Sequence, residues 1–140
     1  MRANRVLVDR GPLVAIFSAR DANHARCVGA LDRLAPPLFT CWPVLTEAAW
    51  MLRGRPDLVQ KVLGMVGSDL LHLLPLDGTD APAVAALIRK YRELALQLAD
   101  AALLHLANRE RIETIFTLDV RDFSVPRTSL RRPLTIIPEP

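Results

Sequence analysis

The sequence predicts an α/β fold of three layers, with a mainly parallel central sheet of four to five strands between helices. Three observations carry this. Short apolar runs alternate with helical stretches along the chain. The runs are continuously apolar rather than alternating, as in strands buried on both faces. The chain has 140 residues, 51% of them hydrophobic and 24% charged, which is enough for one core and too little for two. Residues 1–140 are therefore read as a single domain.

The elements follow in order. Val6-Leu7-Val8 is a β-branched run ending at Asp9, and Gly11-Pro12 breaks it and starts a helix, with Pro12 suited to the first turn. Ala22 to Leu34 is a second helix, because Ala25, Val28, Leu31 and Leu34 recur at helical spacing. Pro36-Pro37 ends it, and Leu38-Phe39-Thr40-Cys41 reads as the second strand. Pro43 and Pro56 open helices reaching about Arg53 and Gly67. Leu70 to Leu76 is the third strand. Helices over Ala81–Leu94 and Leu98–Arg109 precede a fourth strand, Thr114–Leu118, which ends at Asp119. Leu134–Ile137 is a fifth strand, at an edge.

Composition removes several classes of function. Aromatics make up 5% of the chain, which weakens a reading built on a platform of stacked bases. The formal charge of +3 permits a polyanionic partner without requiring one. Cys27 and Cys41 match no zinc spacing and form no disulfide framework, so both read as small buried hydrophobes in a reducing cytosol. No apolar run reaches the ~18 residues of a membrane span, and the stretch Leu13–Phe17 is too short for a leader. The expectation is a cytoplasmic protein with no membrane role.

Four acids stand out. Asp9 and Asp119 end strands, and in a parallel sheet such residues point into the crevice where strand order reverses. Asp100 is followed at three and four positions by Leu103 and Leu104, so its carboxylate is expected to be partly buried. Glu47 is read as a helix-start acid with apolar followers. Each also has a local explanation as a cap or a first-turn acid. Together they point to a cation, because carboxylates ~5 Å apart repel by ~3 kcal/mol per pair at an effective dielectric of 20. Mg²⁺ and Mn²⁺ prefer oxygen ligands, and an ion held this way suits phosphodiester hydrolysis.

These residues carry a resemblance. Asp9, Thr46-Glu47, Leu98-Ala99-Asp100-Ala101 and Thr117-Leu118-Asp119-Val120-Arg121-Asp122-Phe123 resemble a PIN domain, and more narrowly the VapC-type toxins of type II toxin–antitoxin systems. The likeness runs from Val6 to Ile137. It implies a Mg²⁺- or Mn²⁺-dependent endoribonuclease acting on RNA such as tRNA or rRNA. It implies Asp9, Glu47, Asp100 and Asp119 as catalytic acids. Asp9, Asp100 and Asp119 would ligate metal, Asp122 would be an outer or water-mediated ligand, and Thr117 would orient an acid or a water. It further implies a cognate VapB-like antitoxin and a homodimer. The sequence departs from the family where Arg10-Gly11-Pro12 replaces an early Ser or Thr hydroxyl and where Gln97 stands near a position often acidic.

Arg10 and Arg121 are candidates for RNA contact, Arg10 alternatively pairing with an acid. Arg127, Arg131 and Arg132 read first as a solvated surface. His24 reads as capping or surface, His72 as core or edge, and His105 as packed or solvated. Trp50 and Met51, with Leu45 and Leu52, belong to core or to a partner groove. The alternative function is a catalytically weak PIN-fold module that binds RNA or a partner. A phosphoacceptor receiver domain needs a Lys after its last strand, and the only lysines are Lys61 and Lys90, both on expected helices.

Overall fold

In the computed structural model, which describes residues 4–128 and 131–140, five strands form one parallel sheet. They are β1 (Val6–Val8), β2 (Leu38–Thr40), β3 (Leu71–Leu73), β4 (Thr114–Phe116) and β5 (Thr135–Ile137), in the order β3-β2-β1-β4-β5. The helices are α1 (Arg10–Phe17), α2 (His24–Leu31), α3 (Trp42–Met51), α4 (Pro56–Gly67), α5 (Ala81–Lys90), α6 (Leu98–Glu110) and α7 (Val120–Ser124).

The chain winds outward from β1 to β3 and then returns across β1 to place β4 on its other side. Right-handed crossovers that reverse direction pass over opposite faces of a sheet, which yields the three layers. Helices α1 to α4 pack on one another and α5 packs on α6. The order reverses between β1 and β4, so the crevice lies beyond their carboxyl ends.

The central pair is fully buried along β1 and nearly so along β4, where Leu7, Val8, Ile115 and Phe116 show no exposed surface beyond rounding. Val6 pairs with Thr114, Leu7 with Ile115 and Val8 with Phe116. The next step in that register sets Asp9 beside Thr117. The strands are shorter than the apolar runs because the backbone leaves the ladder soon after three residues. A single further bond follows at each boundary, such as Asp9 N–H to Phe116 O at 2.9 Å and Thr117 N–H to Ile137 O at 3.0 Å.

Other boundaries moved for local reasons. The second helix begins at His24 rather than Ala22, after a turn in which Asn23 N–H donates to Asp21 Oδ1 at 2.8 Å. The helix expected to reach Leu94 stops at Lys90. A 3₁₀ turn, Arg92–Leu94, follows and ends at Ala95 with φ 51°, which re-aims the chain into α6. Asp119 caps α7, as its local reading as a helix cap expects. Cys27 and Cys41 are buried and free, and burial pushes the Cys41 thiol up to about 11. His105 and Arg109 on α6 both reach Asp80 Oδ1, at 2.7 and 3.1 Å, tying α6 to the start of α5. His72 lies on the edge strand β3, its ring edge-on to Phe39 at 5.6 Å. His24 shares a 2.6 Å hydrogen bond with Ala15 O. Among the described residues no helix is long and apolar enough to cross a membrane.

Candidate active site

Asp9 follows β1 directly and is the N-cap of α1; its Oδ1 accepts the Arg10 N–H at 2.7 Å. The helix cap and the candidate site residue are thus the same side chain. It is 2% exposed, and the Thr117 hydroxyl donates to its other oxygen at 2.8 Å. Thr117 Oγ1 in turn accepts the Asp119 N–H at 3.0 Å, so one hydroxyl links the ends of the two central strands. Burial is the main force pushing the Asp9 carboxyl up to about 6, opposed by Arg10 and by the hydrogen bonds from Arg10 and Thr117.

Asp100 is the third residue of α6 and closes a capping box with Gln97, whose N–H donates to Asp100 Oδ2 at 3.1 Å. It is 1% exposed. Glu47 stands in the second turn of α3, not at a helix start, because the helix begins at Trp42. From there it faces Arg10, with Oε2 2.8 Å from Nε. Arg10 Nη1 lies 2.9 Å from Asp100 Oδ1 and 3.4 Å from Asp9 Oδ1. Three acids from three elements thus meet on one guanidinium.

Asp119 caps α7, its Oδ1 accepting the Asp122 N–H at 3.3 Å. Asp122 faces Asp119 and Asp100. Burial first, then a hydrogen bond to Asp119 and the charges of Asp119 and Asp100, push its carboxyl up to about 7. Arg121 is exposed on α7 and lines neither cavity described below. Arg127 donates to the carbonyls of Ser124 and Val125 at 2.9 Å.

Two cavities open on the cluster. One, about 370 Å³, is lined by Asp9, Arg10, Gly11, Asp21, Asn23, Met51, Leu118 and Asp119. The other, about 560 Å³, is lined by Arg10, Thr46, Glu47, Trp50, Met51 and Gln97. A Cβ on Gly11 would stand 3.3 Å from Leu118 Cδ1, close enough that the leucine would have to shift by a few tenths of an ångström. Leu45 and Leu52 are core, whereas Trp50 and Met51 are exposed beside the acids. Sequence reasoning did not place Asp21, Asn23 or Met51 at this crevice. The first two carry only a helix-start signal, and nothing local shows that their turn borders the β1–β4 opening.

Among the described residues no three acids, histidines or cysteines stand as a ready metal cage. The donor chemistry nonetheless suits Mg²⁺ or Mn²⁺: the candidates are all carboxylates, hard oxygen ligands. Two of them, Asp9 and Asp122, are pushed toward protonation by burial and neighbouring charge, the strain that a bound cation relieves.

Two outcomes are expected at this stage. Thr117→Val removes the hydroxyl that donates to Asp9, at a cost of about 1–3 kcal/mol. It raises the Asp9 pKa above its present value of about 6, because the lost hydrogen bond favoured the charged form. Carboxyl NMR titration reads this directly, and an unchanged or lower pKa would discount the hydroxyl. Stability should also depend on pH. A carboxyl whose folded pKa lies above its unfolded value of about 3.9 binds its proton more tightly when folded. Metal-free stability from these groups is therefore greatest below the unfolded value and falls as pH rises through the Asp9 value near 6 and the Asp122 value near 7. Asp80, held down to about 2 chiefly by the Asp77 N–H and then by His105, acts in the opposite sense, and only in stronger acid. Urea unfolding at pH 5 and pH 8 checks the sign; equal or higher stability at pH 8 in EDTA would reverse it.

The PIN domain family model matches residues 6–127. Ribonuclease VapC26 of Mycobacterium tuberculosis is 30% identical over 135 residues, covering 95% of this chain and all of that protein. The crystal structure of Mycobacterium tuberculosis VapC20, a sarcin-ricin loop cleaving toxin, superposes with a TM-score of 0.77. That match is at 16% identity over 84% of this chain and 92% of that one, and it bears on the fold.

Proposed function

This chain belongs to the PIN domain family, on its VapC branch, and from that premise we propose that it is a metal-dependent endoribonuclease, the toxin of a type II toxin–antitoxin pair. The observation that carries the reading is the convergence of Asp9, Asp100, Asp119 and Asp122 at the strand-order reversal, with Glu47 beside them. Asp9, Asp100 and Asp119, with Asp122 as the outer or water-mediated ligand, would hold Mg²⁺ or Mn²⁺. When bound, such an ion supplies positive charge at the scissile phosphate and acidifies a water. The chain's own residues do the rest. Thr117 fixes the Asp9 carboxylate. The Gln97 N–H fixes Asp100. Glu47, a quarter exposed on the larger cavity and paired with Arg10 Nε, would take the proton of an attacking water. Arg10 and Arg121 are retained as RNA-contact candidates, although Arg10 is paired with acids here. The substrate class is RNA of the tRNA or rRNA kind, the partners are a VapB-like antitoxin and a second copy of the chain, and the place of action is the cytoplasm.

The test is cleavage of total tRNA and rRNA by the purified, partner-free protein with Mn²⁺, with Mg²⁺ and with EDTA. Discrete fragments that require metal support the nuclease. Intact RNA after incubation with folded protein would sink it and leave the binding module.

A further inference from the structure

Asp100 is nine-tenths buried and more, and both of its oxygens are engaged: Oδ2 by the Gln97 N–H at 3.1 Å and Oδ1 by Arg10 Nη1 at 2.9 Å. The first partner is backbone at a helix start and cannot leave without unwinding α6. The second is the end of a long side chain. Its Nε is held by Glu47 at 2.8 Å, and Nη1 also lies 3.4 Å from Asp9. The planar fork of a guanidinium suits this bridging of several carboxylates, and it never loses its charge at ordinary pH. These acids also raise the Arg10 pKa against the desolvation that would lower it.

We propose that Arg10 is the resident counter-ion of the acid cluster and competes with divalent metal for Asp100, so that metal enters only as the guanidinium swings away from Oδ1. The inference rests on the metal-site reading above. A divalent ion and a guanidinium on one carboxylate oxygen repel each other, so each weakens the other's hold on Asp100. The side chain has somewhere to go. Arg10 borders the cavity of about 560 Å³ beside Glu47 and Trp50, into which the guanidinium can turn as a unit. Before metal arrives, the pairing offsets repulsion between Asp9, Glu47 and Asp100 and keeps them near one another. Arg10 is thus a positioning residue that sets how readily the site accepts metal.

Calorimetric titration with Mn²⁺ alone, on the full chain in EDTA-free buffer, tests this. Arg10→Gln is expected to bind Mn²⁺ at least about tenfold more tightly than the parent, to have a lower Tm without metal, and to gain more Tm on adding Mn²⁺. Equal or weaker binding by a variant with native circular dichroism overturns the competition. Asp100→Asn separates the two levels of the argument. Binding lost in Asp100→Asn but unchanged in Arg10→Gln overturns the competition alone. Binding that survives Asp100→Asn overturns the metal site, and the competition with it. If Arg10→Gln does not fold, the parent answers instead: its Arg10 Nε–H resonance, assigned by its loss in Arg10→Lys, shifts on saturation with Mg²⁺. A resonance that stays put overturns the proposal.

Discussion

Asp100→Asn is expected to lower metal-dependent RNA cleavage by at least about a hundredfold while leaving the fold in place. The loss corresponds to about 2.7 kcal/mol of transition-state stabilisation, within the several kcal/mol that Lewis-acid catalysis supplies. Asparagine keeps the shape and can still accept the Gln97 N–H, so the start of α6 survives. What disappears is one negative charge at the centre of the cluster, 2.9 Å from Arg10 and facing Asp122. Initial rates on tRNA or rRNA with Mn²⁺, beside circular dichroism, give the comparison. A folded variant that cuts at the parental rate would remove Asp100 from the machinery.

Phe116→Ala is expected to cost about 3–5 kcal/mol of stability. That is a large share of the roughly 5–15 kcal/mol available to a domain of this kind. Phe116 is among the largest fully buried side chains, on the strand between β1 and β5, and pairs with Val8. Its carbonyl accepts the Asp9 N–H at 2.9 Å, so the substitution is made at the residue whose backbone anchors Asp9. The midpoint of urea unfolding should fall with little change in slope. A loss below about 1 kcal/mol would mean that the core collapses around the site far more readily than buried aromatics usually allow.

Legibility from sequence differed by element. The central strands were read correctly as continuously apolar because burial on both faces leaves no alternation. The prolines in the first turns of α1, α3, α4 and α5 marked helix starts because their missing N–H is not needed there. The end of α5 was missed because Arg92-Glu93-Leu94 are ordinary helix formers. The break comes at Tyr91, which leaves the helical conformation at φ -108° and ψ 34° with no glycine or proline to mark it, and the chain passes into a 3₁₀ turn. Glu47 was taken for a helix-start acid because Thr46-Glu47 resembles one, whereas the proline before it had already opened the helix.

By itself the sequence determined the α/β alternation, the acids at the ends of β1 and β4, and the unusual carboxylate on the apolar face of α6. These are local matters of periodicity, caps and the company a residue keeps within four positions. Only the tertiary structure decided which groups meet. The strand register sets Thr117 against Asp9 across 108 positions, and Arg10 reaches Asp100 across 90. The sequence left Arg10 divided between RNA phosphate and an acid, because one arginine after a strand-end aspartate can turn either way. Its pairing with three carboxylates follows from packing α1, α3 and α6 around one opening, where an unpaired buried charge would be too costly to keep.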